Sequence, residues 1–389
     1  MLATRPKMFF LAGISLLLLF MACNKDNGTS PDPAPPDPVA TALNLPSTPF
    51  NYANPALPAY YTTPQMQNQD NTQVSNPVTD NGATLGRVLF YDKNLSLNNT
   101  ISCGSCHKQA SAFSDPVVKS VGFNGGLTGR NSMSLINAKY YFDERFFWDQ
   151  RAPILEDQIL MPVQDLVEMG MTLPVLETKL RNLAYYPPLF KKAFGDTVVT
   201  SDRIARSVSQ FIRSIISYQS KYDAGRSTFP VNPPPPNVPF PNFTGPENRG
   251  KEIFLSPLGG CTPCHGTEAF TASVAQNNGL DLVTIDRGFG AVQNNTALDA
   301  TFKVTSLRNV ELTAPYMHDG RFSTLEQVVE HYSSGVKNHP NLSPPLRTPG
   351  GQPRLANLSA PDKAALVAFL KTLTDVNITT DVKFSNPFK

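Results

Sequence analysis

The chain has 389 residues, room for two or three domains and a sizeable buried core. Its 33 Lys and Arg stand against 31 Asp and Glu, and charged residues make up only 16%, which excludes the concentrated basic face of a nucleic-acid binder and strong electrostatic steering of a charged partner. With 36 prolines to 24 glycines a smooth helical array is excluded too, and proline-rich connectors between compact parts are expected.

Arg5 and Lys7 precede an apolar run from Met8 to Ala22, the layout of an export signal and too short and one-sided for a membrane span. Phe20-Met21-Ala22-Cys23 resembles a bacterial lipoprotein cleavage box. That resemblance implies a signal peptide over 1–22 and a lipidated Cys23, which would anchor the chain on the periplasmic side of a bacterial membrane; a plain secretory signal is the alternative. Either removal takes two bases with it and leaves 31 against 31 acids. Residues 23–50 read as a proline-rich tether with nothing to bury. A second proline-rich segment, 227–243, holds Pro233 to Pro236 and divides an N-terminal domain (51–226) from a C-terminal one (244–389).

Helical signals dominate inside both domains. Ile204 to Tyr218 carries apolar residues at helical spacing, and Thr244 with Glu247 forms a capping-box pattern opening a helix through Phe254. Ser323 to Glu326 begins a helix whose Leu325, Val328, Val329 and Tyr332 share a stripe. Ser359 with Asp362 opens another, with Leu366, Phe369, Leu370 and Leu373 on one face. Strand signals are few and short, so the expected fold is mostly α.

The cysteines carry the chemistry. Apart from Cys23 they form two C-x-x-C-H motifs, Cys103-Gly-Ser-Cys106-His107 and Cys261-Thr-Pro-Cys264-His265. A structural zinc site would place its pairs closer together and need no His after each, and a thioredoxin-like motif would occur once and without it. C-x-x-C-H reads as covalent c-type haem attachment, two thioether bonds with the His as proximal iron ligand. Two haems are therefore expected, their motifs 158 residues apart as in a duplicated unit. Only three histidines remain, His318, His331 and His339, so the first domain has no second histidine to offer its iron.

From Leu85 to Asp375 the chain resembles the bacterial di-haem cytochrome c peroxidase family, including its MauG-type members. The resemblance rests on Leu85-Gly-Arg-Val-Leu-Phe-Tyr-Asp92, Ser120-Val-Gly122, Gly129-Arg-Asn131, Phe147-Trp-Asp149, Arg151-Ala152, Gln158, Pro162, Val167-Glu-Met169, Leu307-Arg-Asn309, Thr313-Ala-Pro-Tyr316 and His318-Asp-Gly320. It implies two cytochrome-c-like helical domains, one haem each, with calcium at their junction held by Asn131, Thr313 and Pro315. Many members carry a His after Ser-Val-Gly that ligates the peroxidatic iron at rest; here it is Phe123, which implies an open sixth position, with Met133 a possible substitute. Glu168 is the implied acid/base, Gln158 its polar neighbour, and Trp148 the aromatic between the haems. At the second haem the peroxidases place a Met where this chain has Tyr332, as MauG-type members do. Met317 sits before the His318-Asp-Gly turn, out of that register, His331 points about 100° away on a helix, and a packed core tyrosine is the other reading of Tyr332. The expected function is an exported di-haem peroxidase that reduces hydrogen peroxide with electrons from a small cytochrome c or copper protein. A MauG-type oxidase acting on aromatic residues of a partner protein is the alternative, and a simple di-haem electron carrier a third.

Overall fold

Two glycines set the architecture. The Asp80–Tyr91 helix, whose N-cap Thr79 hydroxyl accepts the Gly82 N–H at 3.0 Å, crosses the Ser201–Arg213 helix at Gly86. A β-carbon there would lie 1.9 Å from the Ser207 carbonyl oxygen, so only glycine allows the backbones to meet this closely. The Gly245–Leu255 helix crosses the Ala360–Lys371 helix in the same way at Gly250, where a β-carbon would fall 2.0 Å from the Ala365 oxygen. Four residues beyond each glycine stands a phenylalanine. Phe90 packs on Phe211 of the crossing helix and on Phe113 after the first C-x-x-C-H, with centroids 5.3 and 6.2 Å away. Phe254 packs on Phe369 and Phe270 at 5.1 and 5.6 Å. The same helix crossing, aromatic triad and haem motif thus occur twice.

The computed structural model describes residues 36–142, 145–229 and 234–389, of which Asp37 to Lys389 form one compact unit. The expected signal peptide, Cys23, the tether up to residue 35 and Pro233 lie outside the described residues. Among the described residues the fold is helical, with isolated β-bridges in place of a sheet, and two cytochrome-c-like halves each build a core. No described helix is long and apolar enough to cross a membrane.

Local signals fix several helix ends. The Thr244 hydroxyl accepts the Glu247 N–H while the Glu247 carboxylate accepts the Thr244 N–H at 2.6 Å, and Ser359 caps Asp362. The helix expected from Ser323 starts one residue later: Thr324 is the cap of Leu325–Glu330 and Gln327 its reciprocal partner. The helix expected through Tyr218 ends at Arg213, although Ile215 and Ile216 stay buried. Asn137 takes over its hydrogen bonds, donating its N–H to the Ile215 carbonyl and accepting the Ser217 N–H on its side chain, both at 2.9 Å.

Long-range ties join the two halves. Arg308, fully buried, donates to both carboxylate oxygens of Asp223 at 2.7 Å and to the Glu268 carbonyl, three residues past His265; Tyr60 donates to the same Asp223. The sequence assigns all of 244–389 to the second domain, yet the end of the chain packs on the first half. Ile378 and Phe384 enter its core, and the Val382, Lys383 and Phe384 carbonyls accept from Arg87, Tyr52 and Tyr91. The proline-rich segment leans on the second half, with Phe240 and Phe243 in its core and the buried Lys251 amine donating to the Pro236 carbonyl at 2.8 Å.

Candidate functional site

Each C-x-x-C-H motif opens onto its own cavity. Cys103, Cys106 and His107 line one of about 470 Å³; Cys261, Cys264 and His265 line another of about 220 Å³. The first motif is a single helical turn whose Ser105 hydroxyl accepts the Ser102 N–H at 2.9 Å. His107 Nδ1 lies 3.1 Å from the Phe113 carbonyl and His265 Nδ1 lies 2.8 Å from that of Phe270. Both phenylalanines sit in the left-handed region, at φ 57° and 53°, the conformation that accompanies these carbonyls facing the imidazoles. Burial pushes both imidazoles down, His265 to about 4, so each is neutral; with Nδ1 donating, Nε2 keeps its lone pair for a metal.

The four described cysteines form no disulfide. Burial pushes the Cys103 and Cys261 thiols up to about 12, so both are neutral thiols in the folded chain. Paired neutral thiols, an oriented imidazole and largely apolar walls fit a c-type haem in each cavity.

The wall of the first cavity comes from the Leu155–Gln164 helix, which presents Leu155, Gln158, Ile159 and Pro162, one face at helical spacing. Glu168 lines the same cavity from the turn that follows. There Asp165 accepts the Val167 and Glu168 N–H groups at 2.8 and 3.0 Å, and Gly170 takes φ 66°. Burial, then the Asp165 charge, pushes the Glu168 carboxyl above its usual range, with Arg151 opposing. The Ser120-Val-Gly122 block braces this turn: Gly122 abuts the Val167 carbonyl, and Phe123 donates its N–H to the Glu168 carbonyl at 3.0 Å. The Phe123 ring packs against the Gly170 backbone and is not among the residues lining the cavity. Met133 lines both cavities.

Trp148 also lines both cavities. Its Nε1 donates to the Asn131 carbonyl at 2.8 Å, and its ring meets the edge of His318, which stacks on Phe302 with centroids 3.8 Å apart. Asn131, Thr313 and Pro315 all line the second cavity; the Asn131 amide donates to the Val117 carbonyl, leaving its own oxygen available. Among the described residues no three His, Cys, Asp or Glu side chains cluster for a metal, so a calcium ion there would rest on neutral oxygens.

The expected stripe lines the second cavity complete: Leu325, Val328, Val329 and Tyr332. Tyr332 stands in a π-helical turn, His331–Gly335, that extends the Leu325–Glu330 helix. Burial pushes its phenol up to about 12. Met317 lines this cavity too, whereas His331 does not, its Nε2 meeting the Asn278 carbonyl at 3.0 Å; His339 pairs with Asn277 and Thr284. Sequence reasoning missed Asn278, whose amide reaches both Tyr332 and Met317, and Lys303, whose ammonium lies 3.1 Å from the centre of the Tyr141 ring beside the first cavity. Neither belongs to a motif. The Phe113 and Phe270 carbonyls had a signal, a phenylalanine six or five residues after each motif histidine.

Residues 80–227 match the family model described as di-haem cytochrome c peroxidase. The methylamine utilization protein MauG of Methylorubrum extorquens is 30% identical over 302 residues, covering 77% of this chain and 80% of that protein. The cytochrome c551 peroxidase of Nitrosomonas europaea is 31% identical over 296 residues, covering 75% and 79%. Among solved structures, a MauG-like protein associated with microbial copper homeostasis superposes with a TM-score of 0.74 at 30% identity, over 86% of this chain and 99% of that one. The diheme peroxidase BthA of Burkholderia thailandensis shares the fold at a TM-score of 0.62 and 22% identity. With its two histidine-bearing cavities and relatives of both kinds at this identity and coverage, the chain belongs to the di-haem cytochrome c peroxidase family.

Proposed function

We propose that this chain is an exported di-haem peroxidase, an oxidoreductase that reduces hydrogen peroxide at the cavity of His107 and receives electrons through the cavity of His265 from a small redox protein. The observation that carries the reading is the inequality of the two cavities. The first has a half-buried carboxyl, Glu168, and an amide, Gln158, on its wall, and no histidine besides His107 among its described lining residues; the second has Tyr332 and Met317. Bound haem would supply the iron at which peroxide is reduced and a second iron to store an electron. The chain's own residues do the rest. Glu168 takes the peroxide proton on a carboxylate oxygen and returns it to the departing oxygen, a positioned transfer of the kind that contributes about 10²–10⁴-fold. Its raised pKa moves it toward the range where it can do both. Gln158 offers an amide to orient the substrate, and Trp148, lining both cavities, relays electrons between them.

One residue beside each cavity favours a companion reading, a MauG-type oxidase that removes electrons from aromatic residues of a partner protein. Its support is Tyr332 on the cavity wall with Phe123 turned onto Gly170. In the same proposal the first haem domain is 51–226 and the second 244–389, the latter's end returning to the first core at Ile378 and Phe384; calcium binds Asn131 Oδ1 and the Thr313 and Pro315 carbonyls, and a lipidated Cys23 holds the chain on the periplasmic side of the membrane. Cys23→Ser should release the exported protein from membranes, and unchanged association would sink the anchor.

The function is tested on oxidised holoprotein, never pre-reduced, by EPR at rest and by peroxide consumption with a reduced small cytochrome or copper protein. One high-spin and one low-spin ferric signal, with donor oxidation coupled to peroxide loss, are expected. Two low-spin signals without peroxide consumption would refute the open first site. Peroxide loss without donor oxidation would favour the protein-modifying oxidase.

A further inference from the structure

Asn278 stands between two side chains, Tyr332 and Met317, on the wall of the second cavity. Its Nδ2 lies 3.3 Å from the Tyr332 oxygen and 3.4 Å from the Met317 sulfur, and all three residues line the cavity of Cys261, Cys264 and His265. A carboxamide NH₂ has two hydrogens, one for each acceptor. The backbone that carries the amide is tied down at three successive residues. The Asn278 carbonyl accepts from His331 Nε2 at 3.0 Å, on the same π-helical turn that carries Tyr332. On one side Asn277 donates its N–H to the Ser343 hydroxyl at 2.8 Å; on the other the Gly279 carbonyl accepts the Lys337 N–H at 2.8 Å. Gly279 itself sits at φ 66°, with its missing side chain filled by Val336.

Met317 arrives at this amide by an unusual backbone. Its φ is 75°, in the left-handed region that residues other than glycine seldom occupy, and its carbonyl accepts the Gly320 N–H at 3.2 Å. Met317 thus reaches the cavity wall on a strained backbone, with its sulfur tied to the Asn278 amide.

We propose that Asn278 is a positioning residue that selects the second iron's ligand, holding the Met317 thioether off with one hydrogen and steadying the Tyr332 oxygen with the other. The inference rests on the reading that a haem on His265 takes Tyr332 as its second ligand. The selection matters because the two ligands have opposite effects. An anionic oxygen favours the oxidised iron, whereas a neutral thioether raises the potential and favours electron uptake. One amide thereby holds the site on the oxidase side of a choice whose other side is also present in the chain. A sulfur is a weak acceptor and an oxygen a stronger one, so the amide discriminates in the right direction, by up to about tenfold in ligand population for one net hydrogen bond.

The test uses oxidised holoprotein and reads ligation directly. In Asn278→Leu a fraction of the second haem should acquire the weak red charge-transfer band of thioether-ligated ferric haem, and the midpoint potential of that fraction should rise. Both changes should vanish in Asn278→Leu/Met317→Leu. Asn278→Asp keeps the size, removes both donors and should show the same red band. Wild-type spectra and potentials in both single variants would overturn the inference, as would a red band that persists without Met317. Tyr332→Phe separates this from the reading beneath it. If that variant leaves the second haem's spectrum unchanged, tyrosine ligation itself is wrong; if it changes the spectrum while the Asn278 variants do not, only the selecting role fails.

Discussion

Gly250→Ala is expected to destabilise the protein, against the usual helical preference. In an open helix interior the change would gain about 1 kcal/mol of propensity. At this crossing the new β-carbon would stand 2.0 Å from the Ala365 carbonyl oxygen, where real contacts do not fall below 3.0 Å. The obstacle is the backbone of the partner helix, with the Phe369 Cβ behind it, so no side chain can swing away and the helices must part by about an ångström. Overpacking of this kind costs about 1–3 kcal/mol and here should fall at the upper end, leaving a net loss of about 1–2 kcal/mol after the propensity gain. Gly86→Ala should do the same in the first half, where the clash with Ser207 is as close. Gly245→Ala is the internal control, at the start of the same helix with no heavy atom within 4 Å of the added carbon, and should be neutral or slightly stabilising. Guanidinium unfolding of the holoproteins, followed by circular dichroism and by the haem Soret band, measures all three. If Gly250→Ala and Gly86→Ala prove as stable as Gly245→Ala, the two crossings are not the close contacts on which the repeated frame depends.

Replacing Glu168 by Gln should lower peroxide turnover by roughly 10²–10⁴-fold while both haems stay attached, and should abolish the pH limb that its raised pKa places above the ordinary glutamate range; wild-type turnover would remove it from the mechanism. Arg308→Met leaves Asp223 buried without its cation and should cost about 3–5 kcal/mol, partly recovered in Arg308→Met/Asp223→Asn; an unfolding curve without that recovery would contradict the pairing. Burial pushes the Glu156 carboxyl up, but Arg213 and Asn76 outweigh it and hold the group below its usual range. Its contribution is therefore present above the unfolded-state value of about 4.3 and lost as pH falls through the lower native one. The stability difference between wild type and Glu156→Gln should shrink on acidification, and a difference that grows would reverse the sign. Finally, Cys103→Ser and Cys261→Ser should each impair attachment of one haem by mass spectrometry.

What the sequence made legible was local chemistry. Two C-x-x-C-H motifs, the Thr244 cap with Glu247, and the stripe ending at Tyr332 each lie within a short span, where spacing alone determines which groups can meet. What it hid depends on partners far along the chain. The helix ending at Arg213 stops because Asn137 claims the next backbone groups, although the apolar period runs on. The return of Ile378 and Phe384 to the first core has no local mark either. Glu168 is a lone acid on a turn and Gln158 one amide on a helix; only family resemblance singled them out. Asn278 and Met317 escaped notice as a pair because 39 residues separate them and neither sits in a repeating pattern.

The repeated frame narrows where the two sites can differ. In both halves a glycine crossing and a phenylalanine triad fix the helices, and a left-handed phenylalanine turns its carbonyl to the imidazole. The histidine side of each cavity is therefore nearly the same, and a difference in reactivity has to come from the other lining. That lining is built differently in the two halves: the Leu155–Gln164 helix and the Glu168 turn in the first, the Leu325–Glu330 helix running into a π-helical turn in the second. The first brings a carboxyl and an amide, Glu168 and Gln158, and the second a tyrosine, Tyr332, with the Asn278 amide on its hydroxyl. Swapping functions between the halves would then require exchanging these walls while leaving both C-x-x-C-H motifs untouched, which is why the motifs alone identify the cofactor but not the reaction.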